Sequence, residues 1–148
     1  MAGDFLQAFQ QDVLERTFGR YSTAQLSATT MWFHLYNTVL TDAATPATTG
    51  RVGTTAAADN YTPTNLANTT LLWTTPTAAT TSVTQNKLEI SFTTSASTGW
   101  GTVQSVMITS SSGTGGVGYA WGSFTTAQVV ASGNTVKFST GAITIGLS

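Results

Sequence analysis

The second half of the chain is written largely in a two-residue rhythm, and that rhythm constrains the fold more than any other feature. Leu88, Ile90 and Phe92 fall on one side of an extended segment, with Lys87, Glu89 and Ser91 on the other. Val136 and Phe138 flank Lys137, and Ile143, Ile145 and Leu147 alternate with Ala142, Thr144 and Gly146. A helix repeats its faces every 3.6 residues, so this alternation predicts strands, each with one face turned to a core. Turn chemistry separates them: a glycine-rich hairpin loop from Ser110 to Gly116, then Ser132-Gly133-Asn134, then Thr140-Gly141. The runs TTLLWTT around Leu72, GTVQSVMITS and GVGYAWGSF add further strands. The predicted fold is mainly β, an antiparallel β-sandwich or small barrel of about seven or eight strands.

The run TTMWFHLYNT extends the same logic to both sides of one strand. Met31, Phe33 and Leu35 share one face, and Trp32, His34 and Tyr36 the other. A strand with aromatics on both faces is central in a sandwich or has its outer face at a subunit contact. Trp32, His34 and Tyr36 are therefore oligomer-interface candidates, with ordinary core as the competing role.

The N-terminus has a different period. Phe5, Leu6, Phe9, Val13 and Leu14 recur at helical spacing, Asp4 can cap the segment and Gly19 can end it. Residues 1–20 are expected to form an N-terminal α-helical arm on a single β domain at 21–148. Its apolar face needs cover, from the domain itself or from another subunit. Phe5, Phe9, Val13 and Leu14 are the partner-docking candidates. Residues 42–68, rich in Thr, Ala, Pro and Gly, are expected as a long loop and a candidate contact arm.

Only 7% of the 148 residues are charged, against roughly a quarter in an average soluble domain. A surface of Thr and Ser with so little charge fits a packed assembly better than a free monomer. The net charge of −1 and the lack of any Lys or Arg cluster argue against nucleic-acid binding. No apolar run approaches the ~20 residues of a membrane-spanning helix, so no membrane partner is expected, and the start of the chain does not read as an export signal. Without cysteine there is neither a disulfide nor a thiolate metal site.

The sequence offers no catalytic constellation. His34 is the only histidine and sits among aromatics on a strand, where a structural role is expected. Asp42 and Asp59 share the long loop, but no Asp-x-Asp-x-Asp spacing supports a cation site. The run SSSGTGGVG lacks the Gly-Lys-Ser/Thr ending and the helix of a phosphate loop. No catalytic residue, cofactor or metal is assigned. Exposed Trp73, Trp100 or Trp121 would offer a carbohydrate-binding module its sugar platforms, a reading of another class.

From Trp100 to Leu147 the chain resembles a family of small tailed-bacteriophage virion structural proteins, of the head decoration, head fibre or minor tail protein type. The resemblance is carried by Trp100 to Val103, Phe124 to Thr126, Val130 to Thr135 and Phe138 to Ile145. The middle departs from it: the family's Gly-x-x-Tyr-x-Arg feature is replaced by Tyr61 followed by Thr-Pro-Thr, and the nearby base is Arg51. The resemblance implies a non-enzymatic virion protein, assembled in the host bacterial cytoplasm. It is expected to be a capsid decoration (cement) protein, a homo-oligomer, by preference a homotrimer, that binds the major capsid protein or other virion proteins. A tail fibre, tip or adaptor component is the alternative.

Overall fold

The computed structural model describes residue 14 and residues 29–41, 43–52, 61–76, 82–93 and 98–147. Eight strands run through them: β1 (Thr30–Tyr36), β2 (Thr64–Ala67), β3 (Ser82–Gln85), β4 (Ile90–Ser91), β5 (Gly101–Thr109), β6 (Gly118–Val130), β7 (Lys137–Phe138) and β8 (Thr144–Leu147). The protein is mainly β, with antiparallel pairing of β1 to β5, β5 to β6 and β3 to β8. The four-stranded sheet has the order β2-β1-β5-β6, and β3 with β8 and β4 with β7 form two-stranded ladders. The expected helical arm lies outside the described residues except at Leu14, which is helical and 2% exposed. Among the described residues no helix is long and apolar enough to cross a membrane.

Two local expectations are corrected. The TTLLWTT run is a turn, closed by the Leu72 amide donating to the Thr69 carbonyl at 3.0 Å, and Trp73 makes only an isolated bridge to Asn86. Consecutive Leu72 and Trp73 are both buried, a pattern that alternation does not allow. Within the segment expected as a long loop, Thr64–Ala67 forms β2, a strand too short for its period to show.

The chain divides into two compact units. The first, Thr30–Leu66 and Ser91–Lys137, is built around β1, β5 and β6. β1 and β5 each have a strand neighbour on both edges, and over most of their paired length consecutive residues are buried, so both faces are covered. Phe33 opposite Ile108 and Leu35 opposite Val106 fill one face, and His34 opposite Met107 and Tyr36 opposite Ser105 fill the other. The segment after β1 folds back over this second face. Leu40 packs on Tyr36 and Met107, its amide donates to Ser105 Oγ at 3.2 Å, and the Tyr36 hydroxyl donates to the Pro46 carbonyl at 3.3 Å.

Asn37 fixes where β1 stops. Its side-chain amide donates to the carbonyls of Trp100 at 2.8 Å and Thr102 at 2.9 Å, tying the end of β1 to the start of β5. That start needs glycine. Gly99 has φ +73°, and a Cβ there would lie 2.3 Å from the Val130 carbonyl oxygen. The close approach lets the Trp100 amide donate to the same carbonyl at 2.8 Å.

The second unit, the described residues of Ala67–Ile90 and Phe138–Ser148 together with Leu14 and Thr29, centres on the β3–β8 ladder and buried Asn86. The Asn86 side-chain amide donates to the carbonyls of Leu88 and Ser139, both at 2.9 Å, and its Oδ1 accepts the Ile143 amide at 2.8 Å. Its backbone carbonyl also accepts the Gly141 amide at 2.8 Å. A buried asparagine is tolerated there because its polar atoms are paired.

Candidate functional site

The oligomer-interface candidates share one face of β1 but do not share exposure. His34 and Tyr36 are fully buried within the chain, and Trp32 is half-buried. Among the docking candidates, Leu14 is buried, and Phe5, Phe9 and Val13 lie outside the described residues. Of the three tryptophans weighed as sugar platforms, Trp73 and Trp100 are buried and only Trp121, at 40% exposure, presents its ring. Stacking on a sugar needs an open indole face, which Trp73 and Trp100 do not offer.

His34 is committed to structure. Its Nε2 lies 2.9 Å from the carbonyl of Ser111 in the β5–β6 hairpin loop, and a carbonyl only accepts, so Nε2 carries the proton. Nδ1 is then a bare acceptor, buried without a partner. Burial, with Arg51 nearby, pushes the imidazole pKa down to about 4 against the hydrogen bond that raises it. At neutral pH the ring is uncharged, positioned to hold a loop.

Arg51 performs the matching task one residue on, its guanidinium donating to the Ser112 carbonyl. The loop braces itself as well: the Ser110 amide donates to the Val117 carbonyl at 2.9 Å and the Val117 amide to Ser110 Oγ at 2.8 Å. The glycine-rich tip is thus anchored from β1 and from the segment that follows it.

Beside the tip, Arg51, Tyr61, Pro63 and Ser112 border an open groove of about 400 Å³. Arg51 and Tyr61, noted where the sequence departs from the resemblance, therefore meet in space. The Tyr61 hydroxyl accepts the Leu35 amide at 2.9 Å, and its ring stacks on Phe92 and meets Trp100 edge-on, with centroids 6.2 and 5.2 Å apart. Burial raises the Tyr61 pKa above the ordinary phenol value, so it stays protonated. Of the groove's polar side chains, Arg51 and Tyr61 each bond a backbone group of the fold. Among the described residues no group of three or more His, Cys, Asp and Glu side chains could hold a metal, and Asp42 and Asp59 lie outside them.

β6 is the longest described strand, and most of its residues are exposed. Among the described residues β5 is its only strand partner. Between the pairs Val103–Gln128 and Ser105–Ser123 the ladder is interrupted, and Phe124 to Ala127 stand opposite the single residue Gln104. This bulge pushes Thr125, Thr126 and Ala127 into solvent. Sequence reasoning had Phe124 to Thr126 as part of the resemblance, but no signal in it marked a bulge.

The family model described as "Podophage GP4 fiber I protein gp80" matches residues 5–146, nearly the whole chain. No curated protein and no solved structure matches it.

Proposed function

We propose that this chain, which belongs to the podophage GP4 fiber I protein gp80 family and is a phage virion structural protein, is a non-enzymatic fibre-type component of the particle. The observation that carries the reading is the family match across residues 5–146. The geometry supports it, because the polar groups nearest to chemistry, His34, Arg51 and Tyr61, hold backbone in place. Copies of the chain associate with one another and with neighbouring virion proteins, and Phe5, Phe9 and Val13 are the proposed docking residues. The β strands close as a sandwich or small barrel in this reading.

A capsid decoration protein is the second reading, favoured by the low charge, which suits dense packing of copies on a shell. Cryo-electron microscopy of intact virions separates the two. Density for this chain in projecting fibres is expected, and density confined to the icosahedral capsid lattice overturns the fibre reading in favour of decoration.

A further inference from the structure

The tip of the β5–β6 hairpin, residues 111–116, is hydrogen-bonded to the chain outside the hairpin through two side chains. His34 Nε2 donates to the Ser111 carbonyl at 2.9 Å, and the Arg51 guanidinium donates to the Ser112 carbonyl. The tip's other bonds stay within the hairpin: Thr109 Oγ1 donates to the Ser111 carbonyl at 2.8 Å, and the Gly113 amide donates to Ser111 Oγ at 3.1 Å. Gly113, Gly115 and Gly116 loosen the backbone, and Ser112, Gly113, Thr114 and Gly115 are exposed. Little buried surface backs the two tethers, and segments of that kind open at low cost.

Both tethers are basic groups, and one of them is poorly placed to carry a charge. The His34 ring is fully buried, and its Nδ1 has no partner. Nε2 already holds one proton, so a second must go to Nδ1. It would be a buried donor without an acceptor, in a cation that feels the repulsion of Arg51. Among the described residues no charge offsets it. Tyr36 on the same face of β1 and Tyr61 ahead of β2 are phenols kept protonated by burial, Met107 opposite is neutral, and β2, β5 and β6 contain no charged residue. The ring reaches water most directly through the tip, because Ser111 lies against it and the residues that follow are in solvent, whereas Met107 is buried.

We propose that residues 111–116 form an acid-released latch, in which protonation of His34 lifts the tip off β1 and leaves the sheet beneath it folded. The sheet can stay closed because the β1–β5 and β5–β6 ladders use neither tether. Ser112, Gly113 and Thr114 are one wall of the groove beside Arg51 and Tyr61, so release of the tip takes that wall away. The ring's pKa is about 4 in place and 6.5 in water, so the opening equilibrium rises on the order of fiftyfold from pH 7.5 to pH 4.5. The latch is independent of where the chain sits in the particle.

The chain has no cysteine, so a single introduced thiol reports the opening. Thr109 is fully buried at the foot of the tip, and Thr109→Cys places the reporter there. Its labelling by dithiodipyridine, divided by the rate for free cysteine at the same pH, should rise on the order of fiftyfold from pH 7.5 to pH 4.5. Adding His34→Gln should abolish that rise. A Val103→Cys thiol, buried in the same strand away from the tip, should label about tenfold or more slowly at both pH values. In the unsubstituted chain, the heteronuclear NOEs of the Gly113 and Gly115 amides should fall over the same range while those of β1 hold. The proposal is overturned by labelling that does not rise in acid, by an equal rise with His34→Gln, by equal rates at the two thiols, or by unchanged NOEs at the tip.

Discussion

His34 holds the Ser111 carbonyl at 2.9 Å across 77 residues of sequence, so one side chain of β1 fixes the tip of the β5–β6 hairpin. The ring does this as a neutral donor, and its protonation works against the fold. Its pKa falls from 6.5 to about 4 on folding. As pH falls below 6.5 the unfolded chain takes up a proton that the folded chain refuses until about pH 4. The contribution is fully present above pH 6.5, is lost progressively between the two values and amounts to about 3 kcal/mol. Urea unfolding at pH 7.5 and pH 4.5 should show a larger loss for the native chain than for His34→Gln. Equal losses would rule out His34 as the titrating group.

Asn86→Ala removes the acceptor of the Ile143 amide and the donor of the Leu88 and Ser139 carbonyls together. Leaving such groups unpaired in a buried site costs about 2–4 kcal/mol. The midpoint of chemical denaturation should fall accordingly, and Asn86→Asp, which keeps an acceptor but sets a buried carboxylate against the Leu88 and Ser139 carbonyl oxygens, should recover none of it.

Tyr61→Phe keeps the ring against Phe92 and Trp100 but deprives the Leu35 amide of its acceptor. A loss of about 1–3 kcal/mol is expected. The same variant should speed hydrogen exchange at the Leu35 amide while amides near Asn86 keep their protection. Unchanged exchange at Leu35 would mean that the hydroxyl does not hold it.

Gly99→Ala sets a Cβ against backbone rather than against a side chain that could turn away. The positive φ alone costs of order 1 kcal/mol, and the clash with the Val130 carbonyl adds to it. Gly133 also has a positive φ, +80°, but open space around it. Thermal melting of Gly99→Ala and Gly133→Ala should therefore rank them clearly, with Gly99→Ala losing more. Similar melting temperatures would refute the close-approach argument.

Strands were legible at β1, β5, β6 and β8. Of the alternating NKLEISFTT run only Ile90–Ser91 is strand, and Leu88, expected on the core face, is 45% exposed, because the chain bends at Lys87 and Leu88. The TMWFHLY run announced cover on both faces, and Met31 and Phe33 to Tyr36 are buried while Trp32 is half-buried, because aromatics on both sides leave little face for water. At Leu71, Leu72 and Trp73 the same apolar, Thr-flanked chemistry was misleading. Three apolar residues in a row fit a strand or a turn, and the buried Leu72–Trp73 pair goes with the turn. The bulge at Phe124 to Ala127 left no trace in the sequence, because its residues suit a regular strand equally well.

Period and turn residues by themselves determined that this chain forms β structure with glycine turns. Alternation is a property of the local backbone, and a few consecutive side chains report it. The tertiary structure alone decided that β1 lies against β5 with His34 opposite Met107, that Gly99 meets Val130, and that Trp121 of β6 is exposed where Trp73 and Trp100 are buried. Those outcomes depend on which distant segments close on one another. That choice is made by packing both faces of β1 and β5 at once, and no short stretch of sequence contains it.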